Sequence, residues 1–465
     1  MFFVSTNPGQ NFHYICWFFP GLFYVHKVNQ ICYNAKIFEG FLNVIFIMFV
    51  TLHSIYWVFP FYMFYKSMVL LYNNVYMKFK YSSFPFLSGL RLGVSVLALL
   101  SVLACGDKRT SSFSQGGDTL HMDYAKHITI VKHDGYTTAE LSNPWHSDAV
   151  LHRYVLVNRK DSARMASKVS SLDGTIVYTP VHSGIIFSAP HCYLLDELGA
   201  ADAVRGVCDL NYINLPYLHK AVSEGRVADC GNGMSPSVER IVSVSPDALF
   251  VTPFEGVNYG QLANIGVPLV ECADYMETSA LGRAEWMKFY GMLVGRENEA
   301  DSLFNVVKRN YSDYRQKAMK SASRPRVITE RVVSGVWYCP GGESSMGQLL
   351  RDAGVDYVFA DDKHSGSLTL SPEKVIEKAA NADWWLFVNS SAGHLDRNGL
   401  LTEYAGYKLI KAFRQGNVLE CVPGFSNPYF EQISFRPDFL LADFISWFHP
   451  ELRILPSQHY YKPLK

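Results

Sequence analysis

The chain lacks the short motifs that usually announce a chemistry. It has no G-x-S-x-G elbow to raise a serine nucleophile, no H-E-x-x-H zinc pair, no G-x-G-x-x-G turn and no G-x-x-x-x-G-K phosphate loop. Gly341-Gly342 follows Pro340 and reads as a turn before a helix, not as a phosphate cradle. His191, His364 and His394 stand at no recognisable ligand spacing, which weighs against a chelatase or a metal-dependent hydrolase. Nine cysteines are present without a single C-x-x-C pair, so a structural zinc ribbon is excluded. Cys192, Cys208, Cys230, Cys272, Cys339 and Cys421 read as small buried hydrophobes without a redox role; in an oxidising envelope some can pair, but spacing alone assigns no bridge. A basic stripe is missing too: 42 basic residues balance 42 acidic ones. That excludes a nucleic-acid binder. Charge is scarcest in the first 76 residues, which carry only Lys27, Lys36, Glu39 and Lys66 and do not resemble a soluble domain.

What is present begins with a second start inside the chain. Met77, the basic residues Lys78, Lys80 and Arg91, an apolar run from Leu92 to Ala104, and Val102-Leu103-Ala104-Cys105 read as a bacterial lipoprotein signal over residues 77–104. The run suits a signal h-region but is short for a membrane span. Cys105 is then the lipidated N-terminus, and the polar GDKRTSSFSQGGD after it a tether over 105–123; the competing reading is an ordinary apolar helix ending in a buried cysteine. Residues 1–76 are expected to be a mis-assigned upstream extension. Phe41–Tyr65 is long enough to span a bilayer despite His53, Ser54 and Pro60, so an N-terminal membrane segment is the alternative. Either way the working part follows Cys105 and lies outside the cytoplasm. It holds 36 basic and 41 acidic residues, a difference of five negative charges, and about 360 residues suffice for two domains.

Periodicity sets out those domains. HITIVKH, YTTAEL and VLHRYVLVN, separated by Asp134-Gly135 and Asn143-Pro144, predict antiparallel strands in a β-rich extension over 124–171. From residue 172 to 277 strands and helices alternate: GTIVYTP, a helix through IIFSAPHCYLLDELG, AVRGVCD, the helix PSVERIVSVS, ALFVTPF, a helix through GQLANIG, and PLVECA. This is α/β lobe one, with a mainly parallel sheet. Residues 278–325 contain no strand; Ser279 is a helix cap, and Ala300, Leu303, Phe304, Val307, Tyr311, Tyr314 and Ala318 define one face of a long helix stopped before Pro325. Lobe two, 326–465, takes strands RVITERV, WWLFVN and NVLECV and helices SMGQLLRDAG, SPEKVIEKAA, LLTEYAGYKLIKAF and RPDFLLADFISWF.

Two α/β lobes joined by one long helix resemble the periplasmic iron-chelate and cobalamin binding proteins of ABC importers. The resemblance spans Thr175 to Leu452. It rests on GNGMSPSVERIVSVSPDALFV followed by GQLANIGVPLV, on SALGRAEWMKFYGMLVGRENEADSLF, on GGESSMGQLLRDAGVDYVF, and on RPDFLLADFISWFHPEL, in that order. It implies a clamp with restrained hinge motion and a ligand cleft between the lobes. It also implies a monomer that hands a ferric siderophore, haem or cobalamin to a permease and its ATPase. No resident cofactor, metal or catalytic residue is implied, and the location is the cell envelope, lipid-anchored and facing the periplasm.

Open α/β sheets place ligands at the C-terminal ends of their strands. By that rule the cleft candidates are Pro180, His182, Ser183, Asn211, Tyr212, Phe254 and Glu255 in lobe one, and Trp337, Tyr338, Asn389, Asn427, Tyr429 and Arg436 in lobe two. The aromatics suit stacking on a flat chelate and Arg436 suits a carboxylate; domain packing and surface exposure are the bland alternatives. His182 and Tyr338 are axial-ligand candidates should the cargo be haem. The resemblance further implies one acidic docking residue per lobe, by position Glu255 and Glu373, although Glu373 in Ser371-Pro372-Glu373 already suits a helix start. The rival classes are a lipid-anchored α/β enzyme or chelatase-like protein and a surface adhesin. Among cargoes iron chelates come first with cobalamin close behind, and the lack of three clustered arginines weakens a strongly anionic catecholate.

Overall fold

A computed structural model describes residues 16–19, 22–25, 116–146, 149–390 and 393–465. The chain divides into two units, Met1–Lys108 and Arg109–Lys465. In the first, Cys16–Phe19 pairs antiparallel with Leu22–Val25. The signal segment and Cys105 lie outside the described residues, as does most of the upstream extension. No helix among the described residues is long and apolar enough to cross a membrane.

The second unit opens with a five-stranded sheet: β1 (Asp118–Leu120), β2 (Ile128–His133), β3 (Tyr136–Ser142), β4 (Val150–Asn158) and β5 (Thr175–Thr179), paired in that order. Helix α1 (Ser162–Val169) carries the chain back, so β5 runs parallel to β4 whereas the earlier pairs are antiparallel. The strand GTIVYT therefore belongs to this sheet, where sequence periodicity assigned it to lobe one.

Lobe one begins a few residues later with β6 (Gly184–Ile186), a segment that reads as helix in sequence. It then has α2 (Ala189–Glu197), β7 (Val204–Val207), α3 (Pro216–Ser223), β8 (Ala228–Asp229), α4 (Val238–Val244), β9 (Ala248–Val251) and β10 (Leu269–Glu271). All neighbours are parallel in the order β8-β7-β6-β9-β10. Gly184, Ile185 and Ile186 are all buried, so β6 shows no alternation that would separate it from the helix Pro190 starts.

Three helices lead out of lobe one: α5 (Ala280–Glu285), α6 (Met287–Val294) and α7 (Glu297–Lys320). The Ser279 hydroxyl accepts the Gly282 N–H at 2.9 Å, the cap expected from sequence. At 24 residues α7 is about 36 Å long, and it buries Ala300, Phe304, Val307, Tyr311 and Ala318 on one face. Gly291 lets α6 approach it, because a Cβ there would stand 2.6 Å from that of Ala300.

Lobe two contains β11 (Arg326–Thr329), β12 (Val332–Val333), β13 (Val336–Pro340), α8 (Ser345–Asp352), β14 (Asp356–Tyr357), β15 (Ser367–Leu370), α9 (Pro372–Ala379), β16 (Trp384–Val388), α10 (Arg397–Glu403), α11 (Lys411–Gln415), β17 (Val418–Cys421), α12 (Tyr429–Gln432), α13 (Pro437–Phe448) and β18 (Lys462–Pro463). Its main sheet runs β14-β11-β16-β17-β18, parallel except for β18. Strands β12, β13 and β15 make a separate antiparallel sheet. The single helix expected over LLTEYAGYKLIKAF is broken. Tyr404 is extended (φ −155°, ψ 111°), and its ring occupies the space a Cβ on Gly406 would need; the Tyr407 hydroxyl accepts the Val332 N–H at 2.7 Å.

Two buried carboxylates fasten the first sheet to the linker helices. Glu285 accepts the N–H groups of Asp123, Tyr124 and Ala125 at 3.0, 2.8 and 2.9 Å, and the Lys288 ammonium at 2.8 Å. Glu277 accepts those of Lys126 and His127 at 2.8 and 2.9 Å and the Trp286 indole at 3.0 Å. Removing such an acceptor strands several donors at once. Glu285→Ala is expected to lower the unfolding free energy by about 3 kcal/mol or more and Glu285→Gln by less. Urea titration measures both; equal stability of Glu285→Ala and wild type would overturn the clamp.

Candidate functional site

In lobe one the chain leaves β6 for β7 on one side of the sheet and reaches β9 on the other, so the crevice lies beyond the C-terminal ends of β6 and β9. A cavity of about 580 Å³ occupies it. Phe187 enters from the end of β6, Thr252, Pro253 and Phe254 from β9, Tyr275 from β10 and Asp209 from β7. Met234, on the short hairpin that pairs Gly231–Asn232 with Ser235–Pro236, and Tyr259 and Leu262 complete the wall. The lining is mostly apolar and aromatic, with Asp209 its one charged side chain. Met234 is 77% exposed and Phe254 42%, more than packing alone explains.

Asp209 is held in the left-handed region (φ 54°, ψ 37°). Its N–H donates to the Gly231 carbonyl at 2.8 Å, and its own carbonyl accepts the Tyr212 N–H at 2.8 Å. Its carboxylate lies against Gly233, where a Cβ would stand 2.6 Å from Oδ2. Gly233 is not in the left-handed region, so what it provides is space.

The residues proposed from sequence scatter. Phe254 lines the cavity; Tyr212 is 77% exposed on the neighbouring loop after β7, with Asn211 beside it. Pro180, His182 and Ser183 do not belong to a cleft in lobe one. They precede β6 instead of following it, and so sit at the opposite end of the strands. There Asp247 accepts the N–H groups of His182 and Ser183 at 2.8 and 3.1 Å, and Arg159 donates to the Pro180 carbonyl at 2.8 Å. The misassigned strand is the cause.

In lobe two Trp337 and Tyr338 lie on strand β13, not on a loop, and alternation sends them to opposite faces. Trp337 is fully buried beside Trp385 and Tyr407, its indole N–H donating to the Thr329 carbonyl at 3.0 Å, so it is a core residue. Tyr338 is 46% exposed. Asn389 is buried and donates to Glu420 at 2.7 Å and to the Gly393 carbonyl at 2.9 Å. Glu420 also accepts the Leu395 N–H and His394 Nδ1–H at 2.9 and 2.8 Å, so this pair shapes the loop after β16 and presents little of itself. Asn427 is buried as well, donating to the Val422 and Tyr460 carbonyls. Tyr429 is packed between Tyr460 and Tyr461.

Arg436 is spent on holding the lobes together. Its Nε and one terminal nitrogen donate to Asp438 at 3.1 Å, the other to Glu197 of lobe one at 3.2 Å, and its plane lies over Phe439. Around it Glu431 accepts the Asn214 N–H at 2.7 Å, Gln432 donates to the Tyr193 hydroxyl at 3.3 Å, and Phe435 packs on His191 and Tyr290.

Two exposed acids occupy matching places in the two lobes. Glu239 in α4 and Glu373 in α9 each sit in the first helical turn behind a capping serine, Ser237 and Ser371. Glu255 lies instead on the loop after β9, 3.9 Å from the His146 imidazole. The pattern Ser-x-Glu recurs in both lobes.

Ser188, His191 and Asp274 align like a hydrolase triad: Nδ1 of His191 is 2.5 Å from the Ser188 hydroxyl and Nε2 is 2.8 Å from Asp274. Their charge states argue against catalysis. Burial opposes a charge on His191, but Cys272 and Asp274 beside it outweigh burial and push it up to about 10. Burial likewise opposes the Asp274 carboxylate, yet His191, Arg283 and the Tyr290 hydroxyl bring it down to about 2. An imidazolium donates to Ser188 and has no lone pair with which to take its proton.

Residues 192–423 match the periplasmic binding protein family. The chain is similar to two uncharacterised lipoproteins of Methanocaldococcus jannaschii. One is 24% identical over 359 residues, 73% of this chain and 84% of the relative; the other is 26% identical over 318 residues, 66% and 78%. Among solved structures it is similar to a periplasmic heme binding protein from Pseudomonas aeruginosa (19% identity, 61% of this chain and 98% of that one, TM-score 0.49). An ABC-type Fe3+-hydroxamate transport protein from Saccharomonospora viridis gives 18%, 58%, 94% and 0.45.

The buried pair has a pH signature. With the His191 pKa raised, its contribution is fully present below the unfolded imidazole value of 6.5 and is lost as pH rises towards about 10. Wild type is expected to lose more stability than Asp274→Asn between pH 6 and pH 9, because Asp274 supplies part of the shift. Parallel urea unfolding curves over that range would refute the ion pair.

Proposed function

We propose that this chain, whose residues 192–423 belong to the periplasmic binding protein family, is the substrate-binding component of an ABC importer for a metal chelate. The carrying observation is the cavity at the lobe-one switch point, walled by Phe187, Met234, Phe254, Tyr259 and Tyr275. At about 580 Å³ it falls in the range of small-molecule sites, and its rings suit the faces of a ferric siderophore, haem or cobalamin. Lobe two closes the site from the other side in this reading, with Tyr338 and the loop that Glu420 shapes. The seam around Arg436 and the length of α7 keep that closure small. Lipidation at Cys105 tethers the protein in the cell envelope, in keeping with the lipoprotein names of its relatives. Glu239 and Glu373 meet cationic groups of the permease, in place of the pair Glu255 and Glu373.

Fluorescence titration of residues 106–465 with cyanocobalamin, haemin and ferric hydroxamate and catecholate siderophores is expected to show saturable quenching by one of them at micromolar or lower concentration. Phe254→Ala should weaken it about tenfold, a loss of one buried aromatic contact. Absence of binding to every chelate would refute the reading. In vesicles bearing the cognate permease, Glu239→Ala with Glu373→Ala should abolish uptake while ligand affinity stays within about twofold. Unchanged uptake would remove these residues from docking.

A further inference from the structure

We propose that the ligand is a metal chelate carrying a cationic, hydrogen-bond-donating group, and that Asp209 is the residue that reads it. This rests on the binding-protein role proposed above and goes further, to the charge of the cargo. Asp209 places the cavity's one charged side chain among Phe187, Met234, Phe254, Tyr259 and Tyr275. No protein donor reaches its carboxylate among the described residues, although its backbone N–H and carbonyl are both used. Two features keep the carboxylate there. The residue is fixed at φ 54°, a conformation that aspartate tolerates better than most residues, and Gly233 leaves the space that Oδ2 fills.

A carboxylate walled in by a bulky apolar ligand loses its water, which opposes binding unless the ligand returns a donor. An ammonium returns both the hydrogen bond and the opposite charge. A polyanionic chelate returns neither and adds repulsion. No basic side chain is among the residues that line the cavity, so none there offsets this.

The test uses three ferric complexes on the soluble region 106–465: a linear trihydroxamate with a free terminal ammonium, the same complex acetylated at that nitrogen, and a trianionic tricatecholate, with neutral cyanocobalamin as a fourth ligand. Acetylation is expected to weaken binding to wild type by about tenfold or more, and the tricatecholate to bind weakest. In Asp209→Asn, which keeps the left-handed backbone accessible, the ammonium and acetylated complexes should bind within about twofold of each other. Gly233→Ala, which crowds the carboxylate, should narrow the difference in the same direction. Equal binding of the two trihydroxamates to wild type, or preference for the tricatecholate or cyanocobalamin, would overturn the charge assignment while leaving the binding-protein role standing. Binding of none of the four would overturn both.

Discussion

Arg436 holds the two lobes in the relation on which everything else depends. It is buried, grips Asp438 at the start of its own helix and reaches across to Glu197 on α2 of lobe one. A buried guanidinium is costly unless every donor is met, and here two carboxylates and the Phe439 ring meet it. Replacing it takes the guanidinium from Asp438 and Glu197 beside the packing of α12 on α2. The lobes therefore meet through a fastened seam, and α7 runs between them.

The same device recurs wherever distant segments must be joined. Glu277 and Glu285 hold five consecutive backbone N–H groups, residues 123–127, onto the linker helices. Glu420 gathers Asn389, His394 and the Leu395 N–H, and so shapes the loop after β16. Asp443 accepts the N–H groups of Tyr460 and Tyr461 and ties the C-terminal segment to α13. In each case a carboxylate in low dielectric is stabilised by several donors at once, and each donor is stranded if the acid is lost. The acids that carry the architecture are consumed by it. Asp209 stands apart because its carboxylate has no such duty.

The elements that sequence reveals well are those with a local cause. The stripe from Ala300 to Ala318 and the Ser279 cap describe the linker helices, because helix formation depends on residues three and four apart. The β-rich segment and the broad α/β alternation of both lobes are legible too, though not every strand within them. The errors share a cause in partner choice. Thr175–Thr179 is a good strand in either sheet, and only its register with Val150–Asn158 decides which. With it moved, Gly184–Ile186 becomes the first strand of lobe one, and Pro180, His182 and Ser183 fall at the wrong end. Trp337 and Tyr338 fail differently: both are aromatic, and only the pairing of β13 with β12 and β15 says which one faces inward.

The sequence by itself determined the two-lobed α/β organisation, the long connecting helix and a family resemblance from Thr175 to Leu452, since each follows from local spacing, capping and ordered short motifs. Only the tertiary structure decided which strand ends converge, which arginine is already paired and which acid remains free. Those are properties of groups far apart in the chain. Glu197 and Arg436 are separated by 239 positions, and no local pattern marks one as the partner of the other. Asp209 looks in sequence like any residue after a strand; its open carboxylate exists because Gly233, on the hairpin after β8, leaves room for it.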